Sequence, residues 1–190
     1  MKLEYYEALN DPDRRMVSVT RDAGKVSRMH TYGITDYSVA SHTYNMMQML
    51  IAFYPLPQIP QALTNAVMAH DVPEVLLGDI PSPAKAIGDL GYEFHQAEAQ
   101  VFEELYYYNP LETLNPNEKM WLRALDLIEL YLWILEEIGS GNRSHKLKCI
   151  LRNISVVLMN ASMPNVLAPF RDNLIEEGWE GVVPEKEIYG

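Results

Sequence analysis

The stretch NPNEKMWLRALDLIELYLWILEEIG, Asn115 to Gly139, decides the fold. Asn115 is a good helix cap, Pro116 suits the first helical position, and Gly139 with Gly141 stops the run, so the spacing predicts one long helix. Inside it a single carboxylate, Asp126, lies among Leu122, Leu125, Leu127, Ile128 and Leu130. A carboxylate in such company is costly to bury unless it is paired or bound to a metal. A salt bridge to Arg123 or another cation is the plain alternative.

The same helix grammar recurs on either side. Asp11-Pro12 opens a first helix that Gly24 ends, and Lys25 to Tyr37 reads as loop. Ser38 to Tyr54 carries apolar residues at Val39, Met46, Met47, Leu50 and Ile51, with His42 on the same helix, which stops before Pro55. Pro60 opens the next run, through Leu63, Ala66 and Val67 to His70. Because Pro73 disfavours helical backbone at Val72, a break is expected there, and His70 and Glu74 cannot be assumed to share a helical face. Gly78 to Gly91 reads as an ordered loop with at most one short helical turn. Tyr92 to Tyr108, Arg143 to Met159 and Val166 to Glu177 read as helices, and Gly178 to Gly190 as a loose or docked tail. No strand-like alternation and no internal repeat competes, so the expectation is an all-α chain: one helical bundle in a single domain, residues 1–190.

Charge and composition exclude several classes. With 15 basic and 26 acidic residues the net charge is -11, and no basic run offers the phosphate contacts that a nucleic-acid polymer needs. A small phosphorylated substrate needs only a few local cations. The lone Cys149 permits no internal disulfide, fits a reducing cytosol, and reads as an apolar filler. The N-terminus lacks the pattern of a signal peptide, and the apolar runs Met46 to Tyr54 and Leu127 to Leu135 are too short to span a bilayer. A cytoplasmic protein with no membrane contact is therefore expected.

Chemistry concentrates in AHDVPEVLLGDIPSPAK, residues 69–85. His70-Asp71 offers an imidazole nitrogen and a carboxylate oxygen to a divalent metal, with Glu74 and Asp79 close behind. His42 alone reads as a satisfied polar residue on an amphipathic helix. The order His42, His70-Asp71, Asp126 on separate helices changes that reading, and two imidazoles with two carboxylates suit Mn, Fe, Co, Ni or Zn without choosing among them. Arg28 presents a fork of donors that matches phosphate, or else is a solvated loop charge.

These residues also carry a resemblance. VSRMHT, SVASHTYNMM, AHDVPEVLLGDIPSPAK and LDLIELYLWILEEI are similar to segments of the HD-domain phosphohydrolases, and within them of bacterial 5'-deoxynucleotidases and phage dATP triphosphohydrolases. The His-Asp dipeptide alone carries little weight, whereas the extended string with a following helical aspartate is specific. The resemblance implies an HD-domain helical bundle with its motif-bearing core at about residues 26–139 and C-terminal helices and tail at 143–190. It implies one divalent transition metal per site, Co, Mn or Zn with Fe and Ni also fitting, held by His42, His70, Asp71 and Asp126. Glu74 would be the catalytic carboxylate near the attacking water and Arg28 would grip phosphate. Asp79 would approach the sugar hydroxyl, Pro81 would line the nucleoside pocket, and Lys85 would be a second phosphate contact. Met29 stands where the family has a tryptophan associated with excluding the ribose 2'-hydroxyl, so deoxyribose preference is less firmly implied than hydrolysis.

The resulting expectation is metal-dependent removal of 5'-phosphate from nucleotides, as mono- or triphosphates, with deoxyadenosine nucleotides first. Guanosine alarmone hydrolysis would use a similar ligand set, but the loop with Pro81 fits the nucleotidase pattern better. A catalytically silent nucleotide-binding protein is the reading from another class. Two-metal phosphodiesterases need further histidines, and only His30, His95 and His145 remain. His30 would stand behind the ligands, with His95 and His145 at the surface. Tyr106 to Tyr108 and Met46, Met47 and Met49 read as core or subunit packing, and a homo-oligomer, dimer or higher, is expected.

Overall fold

Asp11 caps helix α1, Pro12–Ala23, by accepting hydrogen bonds from the backbone of Asp13 and Arg14, as the Asp-Pro pair predicts. The structure is a computed structural model describing residues 11–29, 37–54, 58–80, 82–85 and 87–182. Among the described residues every regular element is a helix, apart from one isolated bridge between Ser27 and Ser38. After α1 come α2 (Val39–Phe53), α3 (Gln61–Ala69), α4 (Glu74–Leu77), α5 (Ser82–Lys85), α6 (Leu90–Tyr106), α7 (Pro116–Gly139), α8 (His145–Asn160) and α9 (Ala168–Val182). None of them is long and apolar enough to cross a membrane.

Two compact units divide the chain, one of Met1–Tyr44 with Thr64–Leu114, the other of Asn45–Leu63 with Asn115–Gly190. In the first, Val19 and Ala23 of α1 bury against Val72 and Val75, and Val26, Leu76, Leu105 and Tyr106 close around them. This small apolar cluster holds the Val72–Pro73 turn in place. The break predicted there is present: α3 ends at Ala69, and the i→i+3 bonds Val72 N–H to Ala69 O (2.9 Å), Glu74 N–H to Asp71 O (3.1 Å) and Val75 N–H to Val72 O (3.2 Å) carry the chain into α4. Such tight turns satisfy the carbonyls that a helix end leaves open.

Gly91 lets α6 start against the end of α5. A Cβ there would lie 2.4 Å from the Lys85 carbonyl oxygen, and a backbone atom cannot swing aside. Gly91→Ala should therefore cost about 1–3 kcal/mol and lower the melting temperature by roughly 3–10 °C. A thermal melt unchanged within a degree would refute the close approach. At its other end α6 stops without a glycine, Tyr107 taking the left-handed conformation (φ 62°) with its N–H bonded to Glu103 O.

In the second unit α7 is the long helix foreseen from sequence, closed at its start by a reciprocal cap: Glu118 N–H to Asn115 Oδ1 (3.0 Å) and Asn115 N–H to Glu118 Oε2 (2.8 Å). Trp121, Leu125, Ile128, Tyr131 and Ile134 of α7 are buried with Leu147, Leu151 and Leu158 of α8 and with Leu167. Glu129, also buried, accepts from Asn45 Nδ2 at 3.1 Å. The expected tail from Gly178 requires correction: α9 runs through Gly178 to Val182. That glycine is a packing residue, since a Cβ would sit 2.4 Å from the Tyr131 hydroxyl and 3.2 Å from Leu135 Cδ2. Residues 183–190 of that expected tail lie outside the described residues.

Candidate metal centre

His42 sits in the first turn of α2 and is fully buried. His70 follows the last residue of α3, its own N–H still donating to Ala66 O at 2.9 Å. Its ring Nδ1 lies 2.9 Å from the Val67 carbonyl oxygen. A carbonyl can only accept, so Nδ1 carries a proton, and in the neutral ring the lone pair is on Nε2. That Nε2 stands 3.3 Å from His42 Nε2. Asp71 Oδ2 lies 3.2 Å from His70 Nε2 and 3.5 Å from His42 Nε2.

Three ligand-type atoms thus meet within the first unit, in a place where at least two of them carry lone pairs. Positive charge is what makes such a meeting favourable. Part of it comes from Arg28, whose guanidinium ion-pairs with Asp71. Two imidazole nitrogens and a carboxylate oxygen are also a fitting donor set for a divalent transition ion, and the carbonyl behind His70 is the kind of partner that orients a metal-binding imidazole.

Around this cluster the other predicted residues fall into definite places. Arg28 N–H donates to Tyr37 O at 2.7 Å, next to the Ser27–Ser38 bridge. Met29 is left-handed (φ 54°), an uncommon state for a residue with a Cβ, and its N–H donates to Asp79 Oδ2 at 2.9 Å. Asp79, expected at a sugar hydroxyl, therefore also holds backbone. Lys85 lies 3.5 Å from Glu98 Oε1 and 4.2 Å from the centre of the Phe94 ring. Asp126 stands half-buried on α7, in the second unit. His95 and His145 are exposed, as expected. Pro81 and His30 lie outside the described residues.

Glu74, at the start of α4, has a buried Oε2 with no hydrogen-bond partner among the described residues. Burial pushes its carboxyl up from 4.5 to about 7; Arg28, His42 and Lys85 pull it down, and the negative Asp79 raises it. An acid with a value near neutrality in reach of a cation site is suited to passing protons. Sequence reasoning missed Tyr37. It is buried, its hydroxyl lies 2.9 Å from His42 Nδ1, and its ring lies 5.6 Å from the Arg28 guanidinium carbon. Only its place just before the helix bearing His42 hinted at this.

Fold and site together define an α-helical protein built around a His-His-Asp cluster of the metal-binding type. Residues 25–124 match the HD domain family, and the chain belongs to it. Over 100 residues it is 31% identical to a 5'-deoxynucleotidase of Vibrio atlanticus, covering 46% of this chain and 52% of that protein. A 5'-deoxynucleotidase of Cronobacter sakazakii is 32% identical over 96 residues, covering 44% of this chain and 48% of the relative. The chain thus spans about half the length of the relatives it matches. The crystal structure of the PH0347 protein from Pyrococcus horikoshii OT3 superposes with a TM-score of 0.65 at 16% identity, covering 85% of this chain and 97% of that one. That likeness shows the fold alone.

Proposed function

We propose that this protein, acting as one HD-type domain, hydrolyses the 5'-phosphate of nucleotides with the help of one divalent metal. The observation that carries this is the meeting of His42, His70 and Asp71 beside a buried carboxyl of raised pKa and a guanidinium. The resemblance to 5'-deoxynucleotidases supports the substrate class. Asp126 is the fourth ligand in this reading, supported by its chemistry: a half-buried carboxylate on an apolar stretch of α7.

A divalent ion held by these residues supplies Lewis acidity, which makes water a stronger acid. Glu74 takes the proton of the attacking water at Oε2, which has no hydrogen-bond partner among the described residues. As the new P–O bond forms and the ester P–O bond breaks, the same carboxyl returns a proton to the leaving sugar oxygen. Arg28 neutralises the phosphoryl oxygens, and its pairing with Asp71 keeps the guanidinium at the cluster before substrate arrives. Asp79, Met29 and Pro81 meet the sugar and nucleoside in this reading, and Lys85 adds positive charge for phosphate. Co, Mn or Zn is the expected ion, deoxyadenosine nucleotides the first substrates to try, and the setting a cytoplasmic homodimer or larger assembly.

Purified protein supplied with Mn, Co or Zn and offered dNMPs and dNTPs should release phosphate or triphosphate, separable by chromatography. No turnover of any nucleotide with any of these metals would refute the enzyme reading. Arg28→Lys keeps the charge and loses the fork, so KM should rise roughly 10–100-fold, the loss of one or two charge-assisted hydrogen bonds. An unchanged KM would remove Arg28 from phosphate binding.

A further inference from the structure

We propose that Tyr37 is a positioning residue of the metal centre, its phenol oxygen holding the His42 imidazole so that Nε2 is directed at His70 and Asp71. The inference rests on the metal-centre reading above. His70 has its Nδ1 fixed by the Val67 carbonyl at 2.9 Å; the counterpart at His42 is the Tyr37 hydroxyl, also at 2.9 Å from Nδ1. The two rings meet edge to face, 5.8 Å between centroids and 85° between planes. Both residues are sealed from solvent, Tyr37 at 1% and His42 at 0% exposure. Bulk water therefore cannot replace the hydroxyl, and the ring cannot turn without abandoning a buried polar atom.

With a cation on Nε2, the imidazole proton resides on Nδ1 and the phenol oxygen accepts it, the orienting contact that metal-bound histidines generally require. Tyr37 does more than orient one ring. Its carbonyl takes the Arg28 N–H at 2.7 Å and its ring lies beside the Arg28 guanidinium. One buried side chain thus supports the ligand from α2 while its backbone anchors the cation expected at phosphate. The hydroxyl serves the first task only, so the two can be separated by deleting it.

The test compares wild type, Tyr37→Phe and His42→Ala in cobalt(II) binding, read by competition against a coloured chelator and by the visible spectrum of the bound ion. Phenylalanine keeps the ring, the Arg28 contacts and the melting temperature within a few degrees. It should weaken cobalt binding roughly 10–100-fold and alter the cobalt spectrum. KM for nucleotide at saturating metal should stay within about twofold, since the Arg28 contacts remain. Cobalt affinity and spectrum equal to wild type in Tyr37→Phe, with His42→Ala impaired, would overturn the role of Tyr37 and leave the metal centre standing. Equal, negligible binding by wild type and His42→Ala would overturn the metal centre and this proposal together.

Discussion

His70→Ala should lose at least about 10³-fold in divalent-metal affinity, more than the 10–100-fold typical of a residue behind a ligand, and lose nucleotide hydrolysis with it. The side chain contributes one of the meeting atoms, and its removal leaves Asp71 with its Arg28 partner. The fold should survive, because the ring is only partly buried and bonds a carbonyl in its own helix end. Asp71→Asn is the harsher change: it breaks the ion pair with Arg28 at a site where both side chains are at most 14% exposed. Breaking such a pair costs about 3–5 kcal/mol when fully buried, so this variant loses stability as well as metal. Metal content by atomic absorption and a thermal melt separate the two effects. His70→Ala with full metal content would remove that imidazole from the centre, and stripping the wild type with a chelator should reproduce the inactive state.

Glu74→Gln should lower kcat by roughly 10²–10⁴-fold, the usual worth of a positioned acid–base group, while metal content stays at the wild-type level. In metal-free protein the same change removes a pH effect. The wild-type carboxyl is raised from 4.5 to about 7 by folding, so the folded state holds this proton more tightly than the unfolded one. Its contribution is full below pH 4.5 and is lost as pH rises to about 7, a slope of the sign required when the unfolded chain binds fewer protons. The loss amounts to about 3 kcal/mol for 2.5 pH units. Glutamine has no proton to lose, so Glu74→Gln should be more stable than wild type at pH 8 and lack that slope between pH 5 and 7. Urea unfolding at both pH values reads this directly. A kcat unchanged in the variant at wild-type metal content would take Glu74 out of the proton transfer.

How far the sequence reached can be judged residue by residue. Asp11-Pro12 and Asn115-Pro116 marked their helix starts because capping is a contact between neighbours two or three positions apart. Pro73 marked the break for the same local reason, a steric clash with the preceding residue. Gly178 misled, because its signal as a helix stop was outweighed by Tyr131 and Leu135 packing where a Cβ would be. Tyr107 carried no stop signal at all, yet it ends α6 in a conformation usually left to glycine.

By itself the sequence determined that the chain is helical, where most helices begin and end, and which residue types are chemically able to bind a cation and phosphate. Those properties follow from local sterics, caps and period, together with side-chain chemistry. Only the tertiary structure decided that His42 and His70, 28 positions apart, turn Nε2 toward each other, and that Arg28 reaches Asp71 across 43 positions. It alone placed Tyr37 behind His42 and left Glu74 Oε2 buried with no hydrogen-bond partner among the described residues. The physical reason is that ring orientation, ion pairing and desolvation depend on what packs from distant parts of the chain, and no spacing along a single helix encodes them.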